Sequence, residues 1–433
     1  MSSKVIVAGV GMIPFKKPGA SDSYDVMGEK AARLALDDAN LQYSLVQQAY
    51  VGYVYADSTA GQAALYGLGL SGIPIFNLNN YCATGSSALF LARQAVKSGE
   101  VDCALALGFE QMTPGALPLI YDDRPNPLRR FYDEMISLQG LDDEIPWAAQ
   151  FFGGAGLDYI KEYQIEKSTL AKIRVKASKH ASKNPLSIFT KEVTEEEVLQ
   201  SPLIFDPLTR LQCCPPSCGA AAAVVCSEEF AKKHNLNTDV AIIAQSMVTD
   251  GQSTFDDHDM RKVVGYDMAK EASLKVYEDS GYGPKDIDVC ELHDCFTTNE
   301  LISYEALGLA QEGLAEKFVV DNQNTYGGEC VTNPSGGLLS KGHPLGATGL
   351  AQCFELTNQL RQNAGDRQVD RAQLALQHNL GLGGACVVAA YKKFNGATAK
   401  PAQLMTSDPD MLDDYEKMDV SKLRQTVSQL ARM

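Results

Sequence analysis

Apolar and polar positions along this chain follow two rhythms that return in the same order. KVIVAGVG (4–11) is an apolar run closed by glycine, and SYDVMGEKAARLALDDAN repeats its apolar positions every three or four residues. QAYVGYVY, IPIFNL and DCALALGF are again short continuous apolar runs. Such runs predict buried strands, and the helical spacing behind a capping Ser or Asp predicts a helix. The order recurs from DVAIIAQSMV onward. A helix through AKEASLKVYEDSG, the strand DVCELHD, a helix over TTNELISYEALG, a helix from Ala347 to Gln362, and the strands AQLALQHN and GACVVAAYKK follow it. This alternation predicts an α/β fold built on a mostly parallel sheet covered by helices. GSSALFLARQAV and GATGLAQCFELTNQL are matching small-residue helix starts, one in each stretch, and mark an internal duplication.

Between the two stretches, over 112–212, the rhythm breaks. MTPGALPLIYDDRPNPLRRFYDEM is rich in Pro, Arg and aromatics, and from Lys161 to Lys191 eight Lys/Arg stand against Glu162 and Glu166. That is a basic segment in a chain of formal charge −16. It reads either as a solvated helix face or as a landing patch for a phosphorylated ligand, centred on Arg174, Lys176, Lys179 and Lys183. From about Asn395 the pattern gives way to an acidic block and a short amphipathic segment. The acidic balance argues against nucleic acid and anionic membranes as partners. No apolar run approaches the length of a membrane span, and the N-terminus reads as a strand rather than a signal peptide. Eleven cysteines without paired spacing fit a reduced chain. Cys103, Cys226, Cys290 and Cys386 read as small core residues, and the CCPPSC cluster at 213–218 lacks a second pair at a zinc spacing.

Four patches concentrate reactive side chains. In NNYCATGSSAL, Cys82 stands between a strand and a helix, where N–H groups and the helix dipole favour a thiolate and small residues let a substrate approach. In HDCF, His293 and Cys295 follow a strand end, a common place for ligand-lining residues; taken alone they read rather as a helix cap and a core cysteine. In SKGHPLGATG, Gly342 and Pro344 hold His343. In QHNLGLGGA, His378 and Asn379 lead into glycines that serve either as oxyanion donors or as a plain hairpin. His180, His234 and His258 lie in polar settings without a motif. Together the patches supply a nucleophilic thiol, a second thiol, imidazoles and main-chain donors, the means to attack a carbonyl and move a proton.

The order and wording of these patches, above all HDCF and NPSGGLLSKGHPLGATG (333–349), resemble thiolases of the sterol-carrier-protein-X type over about residues 4–394. The resemblance implies a thiolase fold: two duplicated βαβαβ-type halves in a five-layered α/β/α/β/α core with an inserted loop domain. Its boundaries are 1–111 plus 213–236 for the N-terminal half, 112–212 for a CoA-binding loop domain, 237–394 for the C-terminal half and 395–433 for a tail. It implies a 3-ketoacyl-CoA thiolase acting on long-chain or 2-methyl-branched 3-oxoacyl-CoA in β-oxidation. His343 activates Cys82; Cys82 takes the acyl group; His293 and His343 hold the enolate; Cys295 exchanges protons. His378, Asn379, Gly381 and Asn333 support the oxyanion sites. CoA and acyl-CoA are the partners, with no metal or other cofactor, and the chain is expected to form a homodimer. Ala431-Arg432-Met433 resembles an S-K-L type peroxisomal address read by an import receptor. Two departures stand out: no room for a sterol-carrier domain, and Cys218 where the family usually has Asp. The rival enzyme readings are a biosynthetic acetoacetyl-CoA thiolase and a ketoacyl-synthase-like condensing enzyme. The non-enzyme rival is an acyl-CoA- or lipid-binding protein.

Overall fold

A computed structural model describes residues 4–394 apart from 116, 118 and 119; the tail from 395 onward and the terminal tripeptide lie outside the described residues. Ten strands form the main sheet. Five come from the first stretch: β1 (Val5–Met12), β2 (Gln48–Gly52), β3 (Ile75–Leu78), β4 (Cys103–Gln111) and β5 (Cys218–Ser227). Five come from the second: β6 (Val240–Val248), β7 (Val289–Glu291), β8 (Val331–Thr332), β9 (Leu374–Gly381) and β10 (Ala385–Lys393). The spatial order is β8-β7-β9-β10-β6-β1-β5-β4-β2-β3. Read outward from the centre, each half therefore has one plan: its first strand, its fifth, fourth, second and third. The halves meet where Val5 and Ile6 of β1 pair with Ile242 and Ala241 of β6.

The sheet is mixed, where the alternation predicts a mostly parallel one. β2 pairs in parallel with β3 and β4, and β7 with β8 and β9. β5 runs antiparallel to β1 and β4, and β10 antiparallel to β9 and β6. The connections explain this. Only Leu382, Gly383 and Gly384 separate β9 from β10, too few residues for a parallel crossover. Between β4 and β5 the chain makes its long excursion. That segment holds the helices α4 (Arg129–Gln139), α5 (Trp147–Tyr163) and α6 (Ser168–Ala181) and returns to the sheet at Cys218.

Strands β1, β5 and β9 are buried along their whole length, β9 despite its polar Gln377, His378 and Asn379, and β1 reads as an unbroken apolar run for that reason. Helices α1 (Tyr24–Ala39) and α2 (Ala60–Tyr66) cover the outer face of the first half. Helices α7 (Tyr266–Ser280) and α8 (Thr297–Ala306) cover the outer face of the second, together with residues of α5 and α6. Between the halves lie α3 (Thr84–Ser98) and α10 (Thr348–Arg361); a one-turn helix, α9 (Gly337–Ser340), precedes α10. Three apolar clusters fill the spaces of this five-layered stack, the middle one drawing on both halves. No helix among the described residues is long and apolar enough to cross a membrane.

The middle layer is held at backbone distance. A Cβ placed on Gly346 would lie 2.3 Å from the Phe109 carbonyl oxygen and 2.7 Å from that of Gly52. One on Gly85 would lie 2.7 Å from the Gly346 carbonyl oxygen. None of these atoms belongs to a side chain that could swing away. Gly346→Ala is therefore expected to cost about 1–3 kcal/mol of stability through overpacking. A lowered urea midpoint at unchanged m-value checks this; an unchanged midpoint would mean that the halves can separate locally.

Candidate active site

Cys82 occupies a tight turn between β3 and α3. Tyr81 before it has φ 48°, the left-handed region that an aromatic residue rarely adopts. The turn is held by the Asn79 side chain, which accepts from Tyr81 N at 3.0 Å, and by Thr84, whose hydroxyl donates to Tyr81 O and accepts from Asn80 N at 2.8 Å. Strain of this kind persists only where surrounding bonds enforce it. Gly381 of β9 presses against the turn: a Cβ there would lie 2.2 Å from Asn80 O.

The second half delivers two imidazoles to this thiol. Ligating atoms of Cys82, His293 and His343 all lie within 4.8 Å of one another, and the two rings meet edge to face with centroids 5.1 Å apart. The loops that carry them are tied together. Asp294 accepts from Leu338 N of α9 at 2.7 Å, which joins the HDCF loop to the segment leading into His343. His343 N donates to Ser217 Oγ at 2.9 Å. His343 Nδ1 lies 2.6 Å from Thr348 Oγ1, whose own proton goes to Pro344 O at 3.1 Å. With its hydroxyl proton so committed, Thr348 can only accept from Nδ1, so the His343 Nε2 lone pair is free. Nε2 is buried with no hydrogen-bond partner among the described residues, a group held in reserve for a ligand.

His293 is set the other way. Asn379 Nδ2 donates to Cys82 O at 2.9 Å and lies 3.1 Å from His293 Nδ1. An amide NH₂ can only donate, so Nδ1 accepts and Nε2 carries the proton. One imidazole is thus a base and the other a donor.

Burial governs the charges. It lowers His343 to about 3, and lowers His293 well below the usual imidazole range with help from the neighbouring His343 and His378. It pushes the Cys82 thiol up to about 12, seconded by the Glu110 carboxylate and opposed by the thiol's own backbone N–H. The expected thiolate is thus corrected: the helix starts two residues later, and desolvation outweighs its dipole. Cys295 is buried and held well above its usual range, first by desolvation, then by Cys214, Cys82 and Asp294. It therefore stands as a neutral acid close to the nucleophile.

The remaining site candidates divide. Asn333 Oδ1 accepts from Leu292 N at 2.8 Å and so steadies the HDCF loop from behind, and its Nδ2 is buried without a partner among the described residues. His378 lies on the opposite face of β9 from Asn379; its Nδ1 accepts from His293 N at 3.4 Å, Nε2 has no partner among the described residues, and burial lowers it to about 3. Of the basic set, Lys179 and Lys183 are exposed, Lys183 over the Tyr326 ring. Arg174 and Lys176 are not part of a surface landing patch. Both point inward from α6, Arg174 to Ser340 Oγ and Lys176 to Glu300, Thr332 and Tyr304. A buried carboxylate needs its counter-charge, which fixes Lys176 in place. Cys218 is a buried residue of β5 whose thiol donates to Met112 O at 3.4 Å.

Several residues at the site are not marked as site residues by the sequence. His180 is featureless there yet is buried, bridging Asn333 O at 2.9 Å and Thr325 Oγ1 at 2.8 Å. Cys214 donates its N–H to Cys295 O at 2.9 Å. Glu110 accepts from Val54 N, Tyr55 N and Gly346 N at 3.1, 2.9 and 3.0 Å, clamping both halves beside Cys82; burial raises it to about 7. An acid ending an apolar strand was its one signal.

Two outcomes follow. A thiol raised to about 12 is neutral throughout the working range, so its reactive fraction grows tenfold per pH unit. Inactivation by iodoacetamide is expected to rise steadily from pH 7 to pH 10, and a plateau near neutrality would reveal a standing thiolate–imidazolium pair instead. Lys176→Ala is expected to cost about 3–5 kcal/mol, read from denaturant unfolding, because it leaves Glu300 buried and unpaired.

Residues 5–229 match the family described as "Thiolase, N-terminal domain" and residues 250–390 that described as "Thiolase C-terminal domain-like". The chain is 55% identical over 393 residues to "Sterol carrier protein 2" of Rattus norvegicus, covering 90% of this chain and 72% of that protein. It is 45% identical over 396 residues to "Non-specific lipid-transfer protein-like 2" of Caenorhabditis elegans, covering 90% and 96%. Its fold matches the crystal structure of human mitochondrial 3-ketoacyl-CoA thiolase with TM-score 0.69 at 18% identity, covering 90% of this chain and 99% of that one. With both of its halves matched and its two reactive loops brought onto one thiol, the chain belongs to the thiolase family and is an acyltransferase of that family.

Proposed function

We propose that this chain is a 3-ketoacyl-CoA thiolase that cleaves 3-oxoacyl-CoA, long-chain or 2-methyl-branched, with CoA through an acyl-enzyme on Cys82. The observation that carries this reading is the convergence of Cys82 on two imidazoles of opposite polarity. Nε2 of His343 takes the Cys82 proton as sulfur attacks the keto carbon. The bond between that carbon and the α carbon breaks, and its electrons pass into the thioester as an enolate. His293 Nε2–H and the newly protonated His343 donate to the enolate oxygen, a contact that strengthens as charge develops. Cys295 protonates the α carbon and becomes a thiolate. CoA enters, gives its thiol proton to Cys295 and attacks the Cys82 thioester; the Cys82 thiolate leaves and recovers its proton from His343. Backbone N–H groups of Cys82 and the Leu380–Gly381 segment serve the second oxyanion. A dry site suits these transfers, since every partner starts and ends neutral.

Exposed Lys179 and Lys183 are the positions to which this reading assigns CoA phosphates. The dimer reading is supported by β3, an edge strand with Phe76 exposed and Leu91 of α3 uncovered beside it. The peroxisomal reading joins Ala431-Arg432-Met433, which resembles an S-K-L type address, to the independent fit of the family with peroxisomal β-oxidation.

CoA-dependent cleavage of a long-chain 2-methyl-3-oxoacyl-CoA, measured beside acetoacetyl-CoA, tests the proposal. Activity on the branched substrate is expected, lost in Cys82→Ala and reduced about 10²–10⁴-fold in Cys295→Ala. Turnover of acetoacetyl-CoA alone would favour a biosynthetic short-chain enzyme, and a Cys295→Ala variant near wild-type rate would remove the acid–base assignment.

A further inference from the structure

Behind His293 runs a chain of buried polar side chains that the reaction does not touch. Tyr391 donates to Gln377 Oε1. Gln377 Nε2 donates to Gly349 O and to Ser86 Oγ, both at 2.7 Å. Ser86 Oγ donates to Asn379 Oδ1 at 2.8 Å, and Asn379 Nδ2 serves Cys82 O and His293 Nδ1. All four side chains are sealed from solvent. Three come from the second half, on β9 and β10; Ser86 comes from the first turn of α3; Gly349 belongs to α10.

The direction of every bond in this chain is determined. The Gly349 carbonyl can only accept, so it must face the Gln377 amide nitrogen. The Cys82 carbonyl can only accept, so it must face Nδ2 of Asn379. Ser86 has one proton; it accepts from Gln377 and must spend that proton on Asn379 Oδ1. The two acceptor-only ends agree through the serine between them, and reversing any member would set two acceptors or two donors against each other in a buried place.

We infer that Ser86, Gln377 and Tyr391 are positioning residues which, through Asn379, hold His293 as the tautomer protonated on Nε2, while Thr348 holds His343 as the opposite tautomer. The chain of Asn379, Ser86 and Gln377 crosses the interface of the duplicated halves, so the polarity of the two imidazoles is set by how the halves dock. This inference rests on the thiolase reading only for its effect on rate, because the tautomers can be observed without turnover.

The test is ¹⁵N NMR of histidine-labelled full-length protein, with His293 and His343 signals assigned through His293→Gln and His343→Gln. The unmodified protein is expected to show His293 protonated on Nε2 and His343 on Nδ1; the same tautomer at both, or the reverse pair, overturns the inference. Asn379→Asp, which cannot donate, is expected to move the His293 proton to Nδ1. It should lower kcat about 10²–10³-fold with KM within a few-fold, and raise the acidic limb of the kcat pH profile by placing a carboxylate beside the ring. Gln377→Leu is expected to lower kcat about tenfold with little change in KM; a kcat within twofold of wild type would overturn the role of Gln377. If Asn379→Asp leaves the His293 tautomer in place, the inference fails. If the tautomer switches and kcat does not fall, the positioning chain stands and the donor role given to His293 under the proposed function is what fails.

Discussion

Everything at this site depends on the backbone-to-backbone approach of the two duplicated halves through α3 and α10. Neither half holds a working set. The first carries the thiol at the start of α3, and the second carries both imidazoles and the second thiol on loops at its own strand ends. Only when Gly85 and Gly346 allow main chains to touch does the GHP segment reach the turn that presents Cys82. Glu110 reinforces the same junction by gripping Gly346 N from the first half. A duplicated fold thus places complementary chemistry at equivalent positions of its two copies and joins them along their shared middle layer.

Close packing also decides the electrostatics. A site that brings a half-buried Cys82 within 4.8 Å of the buried His293 and His343 leaves little water to stabilise an ion pair. The resting groups are therefore neutral, and direction replaces charge as the organising variable: which nitrogen holds a proton and which offers a lone pair. Thr348 and Asn379 make that choice in opposite senses for two rings 5.1 Å apart. Strain at Tyr81 and orphaned nitrogens on His343 and His378 are costs concentrated where a ligand can offset them.

The basic segment shows how charge counting and position part company. Eight Lys/Arg between Lys161 and Lys191 look uniform in one dimension. On α6 the helical period sends Arg174 and Lys176 toward the HDCF and α9 loops, where buried Glu300 and Ser340 receive them, while Lys179 faces out. Half of a predicted ligand patch is thereby structural, and the difference is one of angle around a helix axis, which composition does not contain.

What the chain determined by itself was local and periodic. Apolar runs announced nearly every strand of the sheet, small-residue helix starts announced the duplication, Gly-rich settings singled out Cys82 and His343, because reactive side chains near exposed backbone need neighbours without bulk, and a strand end singled out His293 and Cys295. Strand direction was not determined, since a short hairpin and a hundred-residue excursion close the two halves alike. Nor were Glu110, Cys214, Ser86 and Gln377 legible as site residues, for each matters through a partner far away in sequence, as Ser86 does through Asn379. The state of the thiol was decided by tertiary structure too. A helix N-terminus favours a thiolate when water is at hand, and only the packed halves, by removing that water, let the cost of desolvation outweigh the pull of the helix.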